Sequence, residues 1–211
     1  MSYGYIGDTS SSIKQQKKNA GVLSVSDVLN LKSQGFLGGS LELIIANSFS
    51  SSSSITITTL KESVYDIHFF SLVLTGAHQD CTVFLDMSTD GGSSYITDDF
   101  RYYKQYIETS SGDGTQTNTD LYGIQIGSSA DTNVGFTAEG YLYNLGNANQ
   151  YSYYTGQSFF SKSGDAGEFK MEYGGGVRPA KDTINAIRFY PNTGTLTGYY
   201  KVFGIKQIWV T

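Results

Sequence analysis

The C-terminal stretch Ile184–Ile205, INAIRFYPNTGTLTGYYKVFGI, consists of two apolar segments separated by a short polar one. In the first segment Ile187 and Phe189 alternate with Arg188 and Tyr190. Successive side chains of a β-strand point to opposite faces, so the two pairs lie on opposite sides. The pattern predicts a strand with one face in the core and the other in water.

The polar segment between the two apolar segments has the residues of a chain reversal. Pro191 cannot donate a ladder hydrogen bond, Asn192 and Gly194 favour a turn, and Gly198 begins the return strand. The sequence therefore predicts that the two C-terminal strands are neighbours.

The composition of the whole chain also favours strands. Its 211 residues include 25 Gly, 17 Tyr and 12 Phe, and only 16% are charged. Period-two patterns and short apolar runs predict strands near 41–46, 54–60, 66–75, 81–88, 100–107, 121–126, 134–145, 167–173, 183–190 and 199–210. This strand number favours an all-β, antiparallel β-sandwich of the jelly-roll type over an immunoglobulin-like topology. Ser50–Ser54 is interpreted as a loop within one domain over 41–211, with a linker as the alternative.

The first forty residues differ from the rest. Residues 1–22 are polar and rich in Ser and Gly, which predicts an extended arm. The segment 24–34 is predicted to be a short helix, because Ser24 and Asp27 have capping-box spacing and Gly35 stands where a C-terminal cap is expected. A helix of three turns is marginal alone, so we expect residues 1–40 to attach to another protein. Its apolar stripe consists of Val25, Val28, Leu29 and Leu31.

Charge and hydropathy exclude several classes of function. Fourteen basic against nineteen acidic residues give a net charge of −5, so a nucleic-acid partner is not expected. The longest apolar runs, 41–46 and 67–74, are too short for a membrane helix, and membrane insertion is not expected. The single cysteine, Cys81, cannot form an intramolecular disulfide.

One segment resembles a calcium-binding loop. Asp86, Ser88 and Asp90, followed by Gly91, place oxygen ligands at alternate positions before a turn. The twelfth position is Thr97, which lacks the usual bidentate carboxylate. A hairpin turn explains the same residues and is preferred over calcium.

Motifs for catalysis or cofactor binding are not found. The sequence contains no Gly-x-Ser-x-Gly, no outstanding pair of carboxylates, and no zinc-ligand spacing around His68 and His78. The glycine run in YGGGVRP, 173–179, lacks the residues of a phosphate loop and is interpreted as a turn. We therefore expect a protein without cofactor or enzymatic activity, with a glycan-cleaving enzyme as the alternative.

The tract EGYLYNLGNANQYSYYTGQSFF, 139–160, alternates aromatic rings with amides and glycine. Such residues fit the core or surface of a sheet, a subunit interface, or a glycan-binding site where rings stack on sugars. The candidate residues for interface or glycan contact are Tyr141, Tyr143, Tyr151, Tyr153 and Tyr154.

Three stretches resemble the short tail-fibre and appendage proteins of tailed bacteriophages, especially marine, cyanophage-like ones. They are NAGVLSVSDVLNLKSQGFLGGSLELI at 19–44, LDMSTDGGSSY at 85–95, and the C-terminal stretch at 184–205. The last two are similar to the hairpin and the closing strand pair of the jelly-roll domain in those proteins. The resemblance extends over most of the chain from Asn19 to Ile205.

The resemblance implies a non-enzymatic virion protein, most often a homotrimer, that attaches to other virion proteins by residues 1–40 and displays the domain over 41–211. It implies a location on the phage particle, in a tail fibre or receptor-binding appendage that contacts a host surface glycan. A capsid decoration or a capsid or neck fibre is the alternative, and a tailspike-type glycan-cleaving enzyme is a second one. No catalytic residue is implied.

Overall fold

The structure is a computed structural model of the 211-residue chain, and it describes residues 41–76, 80–109, 112–121, 123–131, 135–161 and 168–205. The chain separates into two compact units, Met1–Ser40 and Leu41–Thr211. The first unit lies outside the described residues. The arm, the helix over 24–34 and the attachment candidates Val25, Val28, Leu29 and Leu31 therefore stay predictions.

The described part of the chain is all-β, as predicted. No helix occurs within these ranges, and none of the described residues forms a helix that could span a membrane. The strands are β1 Leu41–Ser52, β2 Ile55–Ile57, β3 Ile67–Gly76, β4 Cys81–Ser88, β5 Phe100–Glu108, β6 Gly112–Leu121, β7 Ile124–Ala130, β8 Phe136–Tyr143, β9 Ser152–Ser161, β10 Phe169–Arg178, β11 Ala186–Pro191 and β12 Leu196–Ile205.

The strands form two antiparallel sheets of unequal size. The large sheet has eight strands in the order β1-β12-β3-β8-β9-β10-β5-β6, and the small sheet has four in the order β2-β11-β4-β7. The inner faces of both sheets contribute to one hydrophobic core, as in a β-sandwich. Phe70 of β3 meets Phe189 of β11 across the core, with ring centroids 4.9 Å apart.

The alternation in β11 is confirmed. Ile187 and Phe189 are fully buried, whereas Arg188 and Tyr190 lie on the outer face of the small sheet and are partly exposed. β11 therefore has one face in the core and the other face exposed to water.

The prediction that the two C-terminal strands are neighbours is wrong. β11 pairs with β2 and β4 in the small sheet, and β12 pairs with β1 and β3 in the large one. The polar segment after Pro191 therefore crosses from one sheet to the other. A hairpin would place both apolar faces in one sheet, whereas the crossing places one on each side of the shared core.

Two strands and one glycine segment were not anticipated. β6 has no large apolar residue before its last one, Leu121, and β9 lies in the tyrosine tract. The interpretation of YGGGVRP as a turn is wrong, because Gly174–Gly176 lie inside β10 and pair with β5 and β9 on its two sides. A Cβ at Gly174 would lie 2.2 Å from the carbonyl oxygen of Tyr103, so only glycine allows this close approach.

Two connections differ from their predictions: the serine run, which was predicted to be a loop, and the Asp-Gly-Gly segment, which was predicted to be a hairpin turn. β1 continues through Ser52, and β2 begins at Ile55, so part of the serine run belongs to a strand. The turn at Gly91 and Gly92 is confirmed by φ angles of 74° and 86°. It does not lead into a hairpin partner of β4, because the next strand, β5, belongs to the large sheet.

Candidate functional site

The outer face of the large sheet has two adjacent rows of apolar side chains. Residues paired in register across neighbouring strands form rows that run across the sheet. The first row contains Leu43, Phe203, Phe69 and Tyr141, and the second contains Leu41, Ile205, Ile67, Tyr143 and Tyr153. We call these nine residues the aromatic face.

The aromatic face is partly exposed, and four of its rings form a connected group. The ring of Phe69 lies 5.1 Å from that of Tyr141 and 6.0 Å from that of Phe203, and Tyr141 lies 6.3 Å from Tyr143. Leu43 is 58% exposed and Tyr141 is 41% exposed. Contiguous apolar surface of this kind is a candidate site of interaction.

A groove of about 490 Å³ lies beside the aromatic face, over the glycine-rich part of β10. Gly175 lies between Thr155 of β9 and Tyr103 of β5 in the register of the sheet, so no side chain fills the space between them. Tyr103 and Tyr153 line the groove, and so does Arg101, whose guanidinium lies 3.6 Å from the carboxylate of Asp99. Rings, hydroxyls and a guanidinium around one open groove suit a polar ligand with apolar faces.

The structure separates the five tyrosines that the sequence grouped together. Tyr141, Tyr143 and Tyr153 belong to the aromatic face. Tyr151 is exposed just before β9 begins. Tyr154 is buried and stacks on Phe70 with centroids 6.1 Å apart, so it is a core residue and not a surface contact.

Sequence reasoning missed Phe69, Phe203 and Tyr103 as surface residues. A signal for Phe69 exists, because Ile67–Leu74 is apolar at both odd and even positions. Such a run is typical of a strand covered on both faces, whereas β3 has one face in the core and the other on the aromatic face. Neither Phe203 nor Tyr103 has a comparable local signal.

A cluster of buried charges lies between the two sheets. Glu172 of β10 is 2% exposed and accepts a hydrogen bond of 2.7 Å from Nζ of Lys104 in β5. Its other carboxylate oxygen lies 3.1 Å from Nζ of Lys170 and accepts a hydrogen bond from Oγ of Ser128 in β7. Ser128 belongs to the small sheet, so the carboxylate links both sheets.

The cluster contains two lysines for one carboxylate. Burial lowers the pKa of Lys104, and the charge of Lys170 lowers it further, although Glu172 favours the protonated form. The ammonium of Lys170 lies 4.2 Å from the ring centroid of Tyr106, a cation–π arrangement. This geometry indicates a structural cluster, in which Glu172 is the anion that compensates both cations.

A second charged pair lies on the outer face of the small sheet. Arg188 donates a hydrogen bond to the buried carboxylate of Asp86. The guanidinium lies between two rings, 3.8 Å from the centroid of Tyr95 and 4.6 Å from that of Tyr190. Burial raises the pKa of Asp86 to about 6, against the opposing effect of Arg188.

The three oxygen ligands of the calcium hypothesis have other partners. Asp86 pairs with Arg188, whereas Asp90 accepts hydrogen bonds from Oγ of Ser88 at 2.8 Å and from Oγ of Ser94 at 2.6 Å. These bonds hold the pKa of Asp90 down at about 2. Among the described residues, no group of three or more His, Cys, Asp or Glu is arranged to hold a metal ion.

Comparisons with protein-family models, with curated proteins and with solved structures each found no match to this chain.

Proposed function

We propose that this chain is a non-enzymatic structural protein of a bacteriophage particle, a tail fibre or receptor-binding appendage that attaches by residues 1–40. The resemblance of three stretches between Asn19 and Ile205 to phage appendage proteins supports this assignment. A capsid decoration or a capsid or neck fibre is the alternative location of the same protein.

We propose further that the two sheets are a jelly roll with two insertions. In a jelly roll of eight strands the first pairs with the last, the second with the seventh, and so on inward. Here β1 pairs with β12, β2 with β11, β3 with β8 and β4 with β7. The remaining strands, β5, β6, β9 and β10, extend the large sheet beyond β8 and enlarge its outer face.

The single observation that carries the functional proposal is the aromatic face. Nine apolar or aromatic residues on five neighbouring strands meet on one outer face, and contiguous apolar surface is a common site of protein–protein contact. A protein whose role is assembly needs such a surface.

The virion assignment is tested on particles of the phage that encodes the chain. Mass spectrometry of purified virions is expected to detect the protein, and immunogold labelling is expected to place it on the tail. Label on the capsid or neck would select the alternative location. Absence of the protein from purified virions would contradict the proposal.

Attachment by the N-terminal segment is tested by deletion of residues 1–35. The described core lies entirely within the unit Leu41–Thr211, so the shortened protein is expected to fold. It should no longer join particles when supplied in place of the full chain. Incorporation at the normal level would contradict attachment through this segment.

A second candidate function is binding of a host surface glycan in the groove. The groove favours it because Tyr103 and Tyr153 offer ring faces to a sugar and Thr155 offers a hydroxyl group. Binding to a glycan array should identify a ligand, and Tyr103→Ala should weaken its binding on the order of tenfold. Tyr199→Ala, a similarly exposed tyrosine away from the groove, is the control. Equal losses in both variants would exclude the groove.

A further inference from the structure

The connection between β2 and β3, residues 58–66, passes from the small sheet to the large sheet. We propose that this connection opens in acid, because its closed form requires an uncharged imidazole at His68. The opening is a property of the domain over 41–211 itself and does not depend on the virion assignment.

His68 holds the connection against the large sheet. In β3 it lies between Gly204 of β12 and Leu142 of β8, neither of which titrates, and its side chain is completely buried. Its Nε2 atom lies 2.8 Å from the carbonyl oxygen of Leu60, a residue of the connection that is also completely buried. A carbonyl oxygen only accepts hydrogen bonds, so Nε2 carries the proton in this contact.

Nδ1, the other ring nitrogen of His68, is buried and makes no hydrogen bond within the part of the chain that the structure describes. In the neutral ring with its proton on Nε2, this nitrogen is an acceptor, whereas in the imidazolium it becomes a second N–H donor. A buried cationic donor without an acceptor costs more free energy than a buried neutral acceptor does. The closed connection is therefore compatible with the neutral form of His68 and opposes the charged form.

The titratable groups around His68 come from the connection and from β1. Burial lowers the pKa of His68 from its usual 6.5, against the negative charges of Glu62 and Asp66, which raise it. The ring of Tyr65 lies edge-on to the imidazole, with centroids 6.1 Å apart, and its hydroxyl donates a hydrogen bond of 2.5 Å to Glu42. Burial and this carboxylate raise the pKa of Tyr65 to about 12, so Tyr65 stays neutral in acid.

The connection has few bonds of its own that would keep it closed. None of the residues 58–66, all of which the structure describes, belongs to a strand. The amides of Val64 and Tyr65 both donate to the carbonyl oxygen of Lys61, at 2.8 and 3.2 Å, and Lys61 has a left-handed φ of 54°. Such a turn opens at a lower free energy than the paired strands do, so protonation of His68 opens the connection before the sheets unfold.

Hydrogen exchange of the full-length protein, resolved to single amides by NMR, tests the opening between about pH 8 and about pH 5, where histidine titrates. Each rate is divided by the intrinsic rate at the same pH to give a protection factor. Because the folded pKa is lowered, the closed form is favoured above 6.5 and is lost as the pH falls. Protection of the Val64 and Tyr65 amides should fall by up to about tenfold per pH unit below 6.5, and that of Phe70 in β3 should not.

Two variants separate His68 from every other acid effect. His68→Gln keeps a side-chain N–H donor for the carbonyl oxygen of Leu60 but cannot take a charge, so its protection factors should not depend on pH. His78→Gln, at the only other histidine of the sequence, is the matched control and should respond to pH as the wild type does. Asp86 is present in all three proteins, so its opposite effect on stability is the same in each.

Circular dichroism shows whether both variants keep the fold. If His68→Gln does not fold, the NMR titration of the His68 ring in the wild-type protein replaces it, and a pKa at or above 6.5 would overturn the inference. Protection of Val64 and Tyr65 that does not change with pH in the wild type would also overturn it, as would the same pH dependence in His68→Gln. Absence of the protein from virions would leave this result unaffected.

Discussion

Removing the charge of Glu172 should destabilise the domain strongly. The Glu172→Gln substitution keeps the size of the side chain but removes the carboxylate charge that both Lys104 and Lys170 contact in the buried cluster. Breaking a buried ion pair by changing one partner typically costs about 3–5 kcal/mol. For a domain of this size each kcal/mol lowers the melting temperature by about 2–4 °C, so the expected decrease is roughly 6–20 °C.

The matched control is Glu139→Gln, the same change on the exposed outer face of a strand in the same sheet. It should alter the free energy of unfolding by less than about 0.5 kcal/mol. Urea denaturation followed by circular dichroism measures both variants, at one protein concentration because association adds to apparent stability. A Glu172→Gln protein within about 1 kcal/mol of the wild type would refute the argument that this carboxylate compensates two buried cations.

Burial raises the pKa of Asp86 from its ordinary value of 3.8 to about 6 in the folded chain, so between these two pH values the folded chain binds more protons than the unfolded chain. The stability that this proton contributes is present at low pH and is lost as the pH rises through the same window. In Asp86→Asn the decrease in the free energy of unfolding with rising pH, measured by urea denaturation, should be smaller by on the order of 2–3 kcal/mol. An unchanged dependence of this free energy on pH would contradict the prediction. Burial raises the pKa of the Cys81 thiol to about 11, so a disulfide reagent should label it only after unfolding, and rapid labelling of the native chain would count against this burial. Phe189→Ala should lower the free energy of unfolding by about 3–5 kcal/mol, because it opens a cavity beside Phe70. Phe159→Ala, at an exposed position, should lower the free energy of unfolding far less. Equal decreases in the two variants would show that the packing of the two sheets does not depend on the contact between Phe189 and Phe70.

The sequence was sufficient for the local features of the fold. Alternation in Ile187–Tyr190 predicted the buried and exposed faces of β11, and the two glycines after Asp90 predicted a turn with positive φ. These features depend on residues within a few positions of one another, so a local pattern determines them.

The partners of each strand could not be read from such patterns. The residues after Pro191 allow both a hairpin and a crossing between sheets, and the choice depends on β1 and β3, which lie far away in the chain. Gly174–Gly176 have the composition of a turn, but they form a strand because the backbones of β5 and β9 approach closely on both sides. β6 has no apolar face from which a strand could be predicted, and in the sheet it pairs only with β5.

The candidate surface was predictable only in part. The tyrosine tract drew attention to Tyr141, Tyr143 and Tyr153, but the same pattern included Tyr154, whose ring points into the core. The aromatic face consists of residues from five strands, and only the register of the sheet brings Phe203 next to Phe69.

The pairing of β1 with β12 has a consequence for synthesis of the protein in the cell. Asn47 hydrogen-bonds to Tyr200, 153 positions later, so a ribosome makes nearly the whole of Leu41–Ile205 before the earliest strand meets its neighbour. Until then the edges of β1 and β3 are open to pairing with other nascent chains. Chains dominated by such distant contacts fold slowly, in milliseconds to seconds, so these edges stay open for that time in each newly made copy.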